Sequence, residues 1–163
     1  MNAAAPEIFQ TLEASQFAAF VRQTVWLYPL ANILHVAFVM IFAGALAAMD
    51  VRLMGGFAGS SVADVLRGGR KVAVEAFGGI LVTGAILFSA EASHLALNPV
   101  FQTKMLLIGL AFLNILVFEL AFARRVREHA PRMPMPMVAR ASGFASLATW
   151  LAVAVCGRSI AYF

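Results

Sequence analysis

Long apolar runs alternate with short basic ones along this chain, and four of the runs have the length of membrane helices. The most continuous is WLYPLANILHVAFVMIFAGALAAMDVRLMGG, residues 26–56. No charged side chain stands between Arg22 and Asp50, and after Pro29 only Asn32 and His35 interrupt the apolar positions. At about 1.5 Å per residue such a run crosses a hydrocarbon core of roughly 30 Å. The pattern predicts spans at about 29–54, 72–90, 99–123 and 138–160.

The polar residues between the runs set the boundaries. Pro29 suits the first turn of a helix, where its missing N–H would have no partner anyway. Residues 55–71 form a loop with glycines at both ends, in which Ser61 and Asp64 start a short surface helix. The charge-free core of the second span, Ala76 to Ala90, is only about 22 Å long, so Glu75 and Glu91 fall at its two interfaces. A short connection from Glu91 to Leu97 carries His94, and Asn98 followed by Pro99 reads as the cap and first residue of the third span. Glycines and alanines at 44, 48, 78, 79, 84, 85, 148 and 152 mark close helix approach.

Upstream, residues 6–25 set Ile8, Phe9, Leu12, Phe17, Phe20 and Val21 among Glu, Gln, Ser and Arg. That mixture predicts an amphipathic helix in the membrane interface, ending at Trp26 and Tyr28. The chain thus divides into an N-terminal interfacial segment, 1–25, and a transmembrane domain, 26–163. Short connections between consecutive spans predict an all-α, up-down four-helix bundle.

Composition agrees: 62% hydrophobic and 12% charged residues exclude an ordinary soluble domain. The net charge of +4 lies between the spans, where it sets topology, and does not indicate a nucleic-acid partner. Arg52, Arg67, Arg70 and Lys71 flank one connection, and Arg124, Arg125, Arg127, Arg132 and Arg140 flank another, against Arg22, Lys104 and Arg158 on the opposite side. The positive-inside rule puts both basic loops in the cytoplasm and both termini outside. The first charges, Glu7 and Glu13, follow no basic n-region, so no secretory signal is expected. Cys156 stands alone and forms no intrachain disulfide.

Candidate chemistry centres on the histidines. His35 lies six residues past Pro29, about 9 Å below the outer surface, and His94 lies in the connection that returns to that side. His129, among arginines in the cytoplasmic loop, reads as a solvated residue. A polar residue inside a bilayer marks a functional site by default, whereas an interhelical hydrogen bond, helped by Asn32, is the structural alternative. Phe38, Val39 and Phe42 follow His35 along one face, and Lys104 and Arg158 approach the same outer half. Neutral imidazoles ligate haem iron and arginine suits haem propionates, so a haem between His35 and His94, with Arg158 at a propionate, is coherent.

A second constellation is Met133, Met135 and Met137, thioethers of the kind that suit Cu(I), in a proline-rich loop. Toward the inner face Glu75 and Glu119 read as ion-pair partners of Arg70, Lys71 and Arg140. There is no Gly-rich phosphate loop, HExxH, CxxC or nucleophile elbow, so no enzyme class is indicated. Four spans with no inverted pair of broken helices argue against a standalone transporter.

The blocks WLYPLANILHVAFVMIFAGALAAMDVRLMG, GGILVTGAILFSAEA, NPVFQTKMLLIGLAFLN and CGRSIAYF, in that order, resemble those of a bacterial inner-membrane family of uncharacterised function. More distantly, the first-span histidine and the FQTKMLLIGLAFLN helix are similar to the membrane domain of CopD copper-resistance proteins and to cytochrome b561-like bundles. The resemblance implies a four-helix core with haem b or copper as cofactor, His35 as the helix-1 histidine and Arg158 as the arginine of the last block. Glu119 stands where histidine is expected, which counts against a second metal site in the inner half.

The expectation is therefore a small inner-membrane haem b protein for electron transfer or haem and redox sensing, with His35 and His94 as ligands near the periplasmic side. Its partners would be lipid, a redox protein or further copies of itself. A non-catalytic subunit or scaffold is the alternative, and copper handling the third reading.

Overall fold

The computed structural model describes residues 4–128 and 133–162; His129 and Arg132 lie outside them. Four long helices form the body: α3 Leu27–Leu53, α4 Val62–Ala90, α6 Pro99–Ala121 and α8 Met137–Ser159. Short helices α1 Glu7–Glu13 and α2 Gln16–Gln23 precede them, α5 Ala92–Leu97 links α4 to α6, and α7 Ala123–Arg127 follows α6. The described chain ends in a 3-10 turn, Ile160–Tyr162, and no strand occurs among the described residues. All four long helices are long and apolar enough to cross a membrane. The chain is an all-α, multi-pass membrane protein built as a four-helix bundle.

Local chemistry sets most boundaries. Asn98 Oδ1 accepts the N–H groups of Val100 and Phe101, and Pro99 takes the first helical position. Ser61 Oγ caps α4 by accepting from Asp64 N. Helix α3 stops in a double-glycine C-cap. Gly55 adopts φ +106 and donates to Arg52 O, while Gly56 donates to Val51 O at 2.8 Å.

Two boundaries differ from the sequence expectation. The second span begins at Val62, not near residue 72, because the Ser61-capped turn runs without a break into the apolar segment. Gly68 and Gly69, expected to lie in a loop, are both helical, and α3 packs on the second: a Cβ on Gly69 would stand 2.5 Å from Met49 Cγ and 3.3 Å from Ala45 O. The connection bearing His94 is likewise helical, as α5. With 29 residues, α4 is about 43 Å long and overshoots a bilayer core by two turns.

Helix α3 packs closely along α4, α6 along α8, and α3 also touches α8. Between α4 and α6 the contact runs through long side chains, in three rungs. Phe88 stacks on Phe101 (5.5 Å between centroids), Phe77 meets Phe112 edge-on (5.2 Å), and Arg70 pairs with Glu119 (2.6 Å). The middle rung belongs to a layer in which every long helix supplies one ring, since Trp150 of α8 lies 4.7 Å from Phe42 of α3 and 6.2 Å from Phe112. The Arg70–Glu119 pair is one of the ion pairs expected from sequence at the helix ends.

The N-terminal segment is two helices, not one, and it is pinned to the end of the bundle where α4 gives way to α5. Ser15 Oγ accepts from Ala18 N and starts α2 as a separate helix. Arg22 then donates to Ala90 O, the end of α4, and to Glu13 O. Ile8, Phe17 and Phe20 are left exposed on this segment, as an interfacial helix requires.

Candidate functional site

Thr83 is the lone hydroxyl in the apolar middle of α4, and it is buried. Its Oγ1 lies 2.7 Å from Gly79 O, one turn back, a spacing that requires its hydrogen to point at that carbonyl. The same oxygen stands 2.9 Å from His35 Nδ1 of α3 and must therefore accept from Nδ1–H. The relay His35 to Thr83 to Gly79 puts the ring proton on Nδ1, and the Ile80 carbonyl also bears on the imidazole. Gly84 makes room for the ring, since a Cβ there would stand 3.2 Å from His35 Cε1.

Two further helices complete the level. Lys104 of α6, expected at the interface, is half-buried. Its Nζ lies against Gly157 of α8, 3.6 Å from where a Cβ would be. Its charge acts on His35 from one side and on Cys156 of α8 from the other, and no carboxylate pairs with it among the described residues. His35, Thr83, Lys104 and Cys156 thus bring one polar group from each long helix to the outer half. A cation within electrostatic reach of an imidazole suits a ligand that offers both an acceptor or carboxylate and a centre for nitrogen to bind.

The other expected residues fall elsewhere. His94 is exposed on α5, within electrostatic reach of Glu13, and nothing brings it to His35. Thr83, which holds the His35 ring, lies seven residues before the end of α4, about 10 Å along the axis. The Ser93 side chain first, and then the Ser93 N–H that Glu13 Oε2 accepts at 2.8 Å, hold the Glu13 carboxyl below the usual carboxylate range, ahead of the charges of Arg22 and His94. Arg158 is exposed and turned to its own helix end, bonded to Tyr162 Oη and lying 4.6 Å over the Tyr162 ring. Asn32 is exposed and supports no interhelical bond among the described residues. Phe38 packs on Gly79, where a Cβ would stand 2.6 Å from its ring, and Phe42 is buried in the aromatic layer.

His94 sits exposed on α5, the helix that packs on α1, and no contact among the described residues joins it to His35. Among the described residues His35 has the donor chemistry of an axial ligand, with Nδ1 tethered to Thr83, an arrangement that orients metal-bound imidazoles. A groove of about 350 Å³ between α3 and α4 is lined by Leu34, Phe38, Val82 and Thr83 among others, and carries no nitrogen or sulfur ligand. The methionine run does not converge: Met133 and Met137 are exposed, whereas Met135 is buried in the inner core with Leu53, Phe118 and Ala139. No cluster of three histidine, cysteine or acidic side chains suited to a metal occurs among the described residues.

Thr83 and Cys156 gained no chemical role from sequence. A lone hydroxyl between two glycines in a membrane run, GGILVTGAIL, was the signal that pointed to the first. Comparison with protein-family models, curated proteins and solved structures finds no match to this chain.

Proposed function

We propose that this is a small protein of a bacterial inner membrane, with both termini periplasmic, that binds haem b in its outer half for electron transfer or haem sensing. The observation that supports this reading is the Thr83-tethered His35, with the half-buried ammonium of Lys104 near enough for its charge to act on the imidazole. His35 would hold the iron and Lys104 a propionate. Haem, when bound, supplies a one-electron couple. The chain's own part is to orient the imidazole through Thr83 and to exclude water with Phe38 and the aromatic layer beneath.

The test is the absorption spectrum of detergent-purified protein expressed with haem available. A Soret band should appear in the wild type, persist in His94→Ala and vanish in His35→Ala. No band, or one that survives His35→Ala, overturns the proposal.

A scaffold role has one observation in its favour. Gly44 of α3 and Gly78 of α4 face open space, where a Cβ would meet nothing within 4 Å, so they serve no approach inside the bundle. They are free for a second chain, and Gly44→Leu should then dissolve an oligomer without unfolding the monomer. Copper handling has less support, since Lys104 sets a cation beside both His35 and Cys156.

A further inference from the structure

The inner end of the bundle contains a second polar site, independent of the His35 reading. Asp50 of α3 is 5% exposed. The Ser146 hydroxyl of α8 lies close enough to influence its carboxyl, while Oδ2 is buried with no partner. Gly143, three residues before Ser146, lies directly on the Asp50 backbone: a Cβ there would stand 2.9 Å from Asp50 O and 3.2 Å from Leu53 Cβ. Helix α8 thus closes over the carboxyl. Trp150 Nε1, one turn further along α8, is also buried and unpartnered.

No cation neutralises Asp50 among the described residues. Arg52, two residues on and 1% exposed, faces the α3–α4 connection, where its Nε donates to Ser60 O. On α4, Arg70 is engaged by Glu119 and Lys71 is exposed; on α8, Arg140 is exposed. An ionised carboxylate with one hydroxyl nearby and an orphaned oxygen in such surroundings is far costlier than the neutral acid. A hard metal ion takes six or more oxygens, and Asp50 with Ser146 offers too few. A proton needs only the one free oxygen. Asp50 lies three residues from the end of α3, about one helical turn from the water beyond it.

We infer that Asp50 is a membrane-embedded proton-binding site, its carboxyl held as the neutral acid beside Ser146 and exchanging its proton with the inner aqueous side. Infrared difference spectra of the full chain in liposomes, wild type against Asp50→Asn, test this. The wild type should show a carboxylic-acid C=O band at neutral pH that shifts in D2O, fades as pH rises and is absent from Asp50→Asn. In Ser146→Ala, a variant that leaves Asp50 in place, the band should move to higher frequency as that hydroxyl is lost. The absence of an acid band, a band that neither shifts in D2O nor titrates, or one indifferent to Ser146→Ala overturns the inference.

Discussion

Glu13 Oε2 accepts the backbone N–H of Ser93 at 2.8 Å, so a carboxylate of the first helix caps the N-terminus of α5 across eighty residues of chain. Arg22, from α2, simultaneously takes Ala90 O at the end of α4. Together they satisfy a donor and an acceptor that the break between α4 and α5 would otherwise leave free. This clasp holds the N-terminal helices down.

Its acid dependence has a definite sign. The Ser93 bond depresses the Glu13 carboxyl below its ordinary 4.5, so the folded state binds the proton more weakly than the unfolded chain does. The stabilisation is complete above that ordinary value and is lost as pH falls through the depressed one. Protection of the α1 and α2 amides against hydrogen exchange, relative to the intrinsic rate at each pH, should accordingly be high at neutral pH and fall under acid. Glu13→Gln should show the faster exchange at neutral pH while the four long helices keep their protection.

Thr83→Val removes the acceptor of His35 Nδ1–H and keeps the side chain's shape. It should cost about 1 kcal/mol, whereas Thr83→Ser should be close to wild type. Thermal unfolding in detergent measures the cost. The imidazole nitrogen shifts of His35 should report a single Nδ1–H tautomer in the wild type and a mixture in Thr83→Val.

Two glycines predict opposite outcomes. At Gly143 a methyl group would meet backbone oxygen at 2.9 Å, which cannot yield as a side chain can. Gly143→Ala should force α3 and α8 apart at a cost of about 1–3 kcal/mol. Gly44 has open space, so Gly44→Ala should leave the monomer unchanged or stabilise it by up to about 1 kcal/mol through helix propensity. A melting comparison of the two decides.

The Arg70–Glu119 pair joins α4 to α6 with side chains 48% and 33% exposed, so it contributes no more than about 1 kcal/mol. A double-mutant cycle with Arg70→Ala and Glu119→Ala should give a coupling of that size, shrinking as salt is added.

Much of the fold was legible in sequence because its determinants are local. Hydropathy over twenty residues locates a span without reference to its neighbours, and Asn98, Pro99 and Ser61 act on N–H groups two or three residues away. The inner ion pair was legible too, since spans of known length put Arg70 and Glu119 at one depth. The start of α4 was not, because the Gly68-Gly69 pair reads as a helix breaker, whereas α3 packs on Gly69 and the helix continues through both.

The site shows where local reasoning ends. Sequence put His35 in a membrane helix and on the outer side of its midpoint, and it put Asp50 at that helix's inner end. Which way each side chain turns depends on the rotation of α3 against α4 and α8, and that is set by Phe38 on Gly79, Gly84 beside the imidazole and Gly143 on the Asp50 carbonyl. Only the packed bundle gives His35 its Thr83, draws Lys104 inward, leaves His94 with the N-terminal helices and buries Asp50 against Ser146. The chain alone determines the depth of each polar group in the bilayer. Partners across helices are fixed by close packing, which no spacing along one strand of sequence encodes.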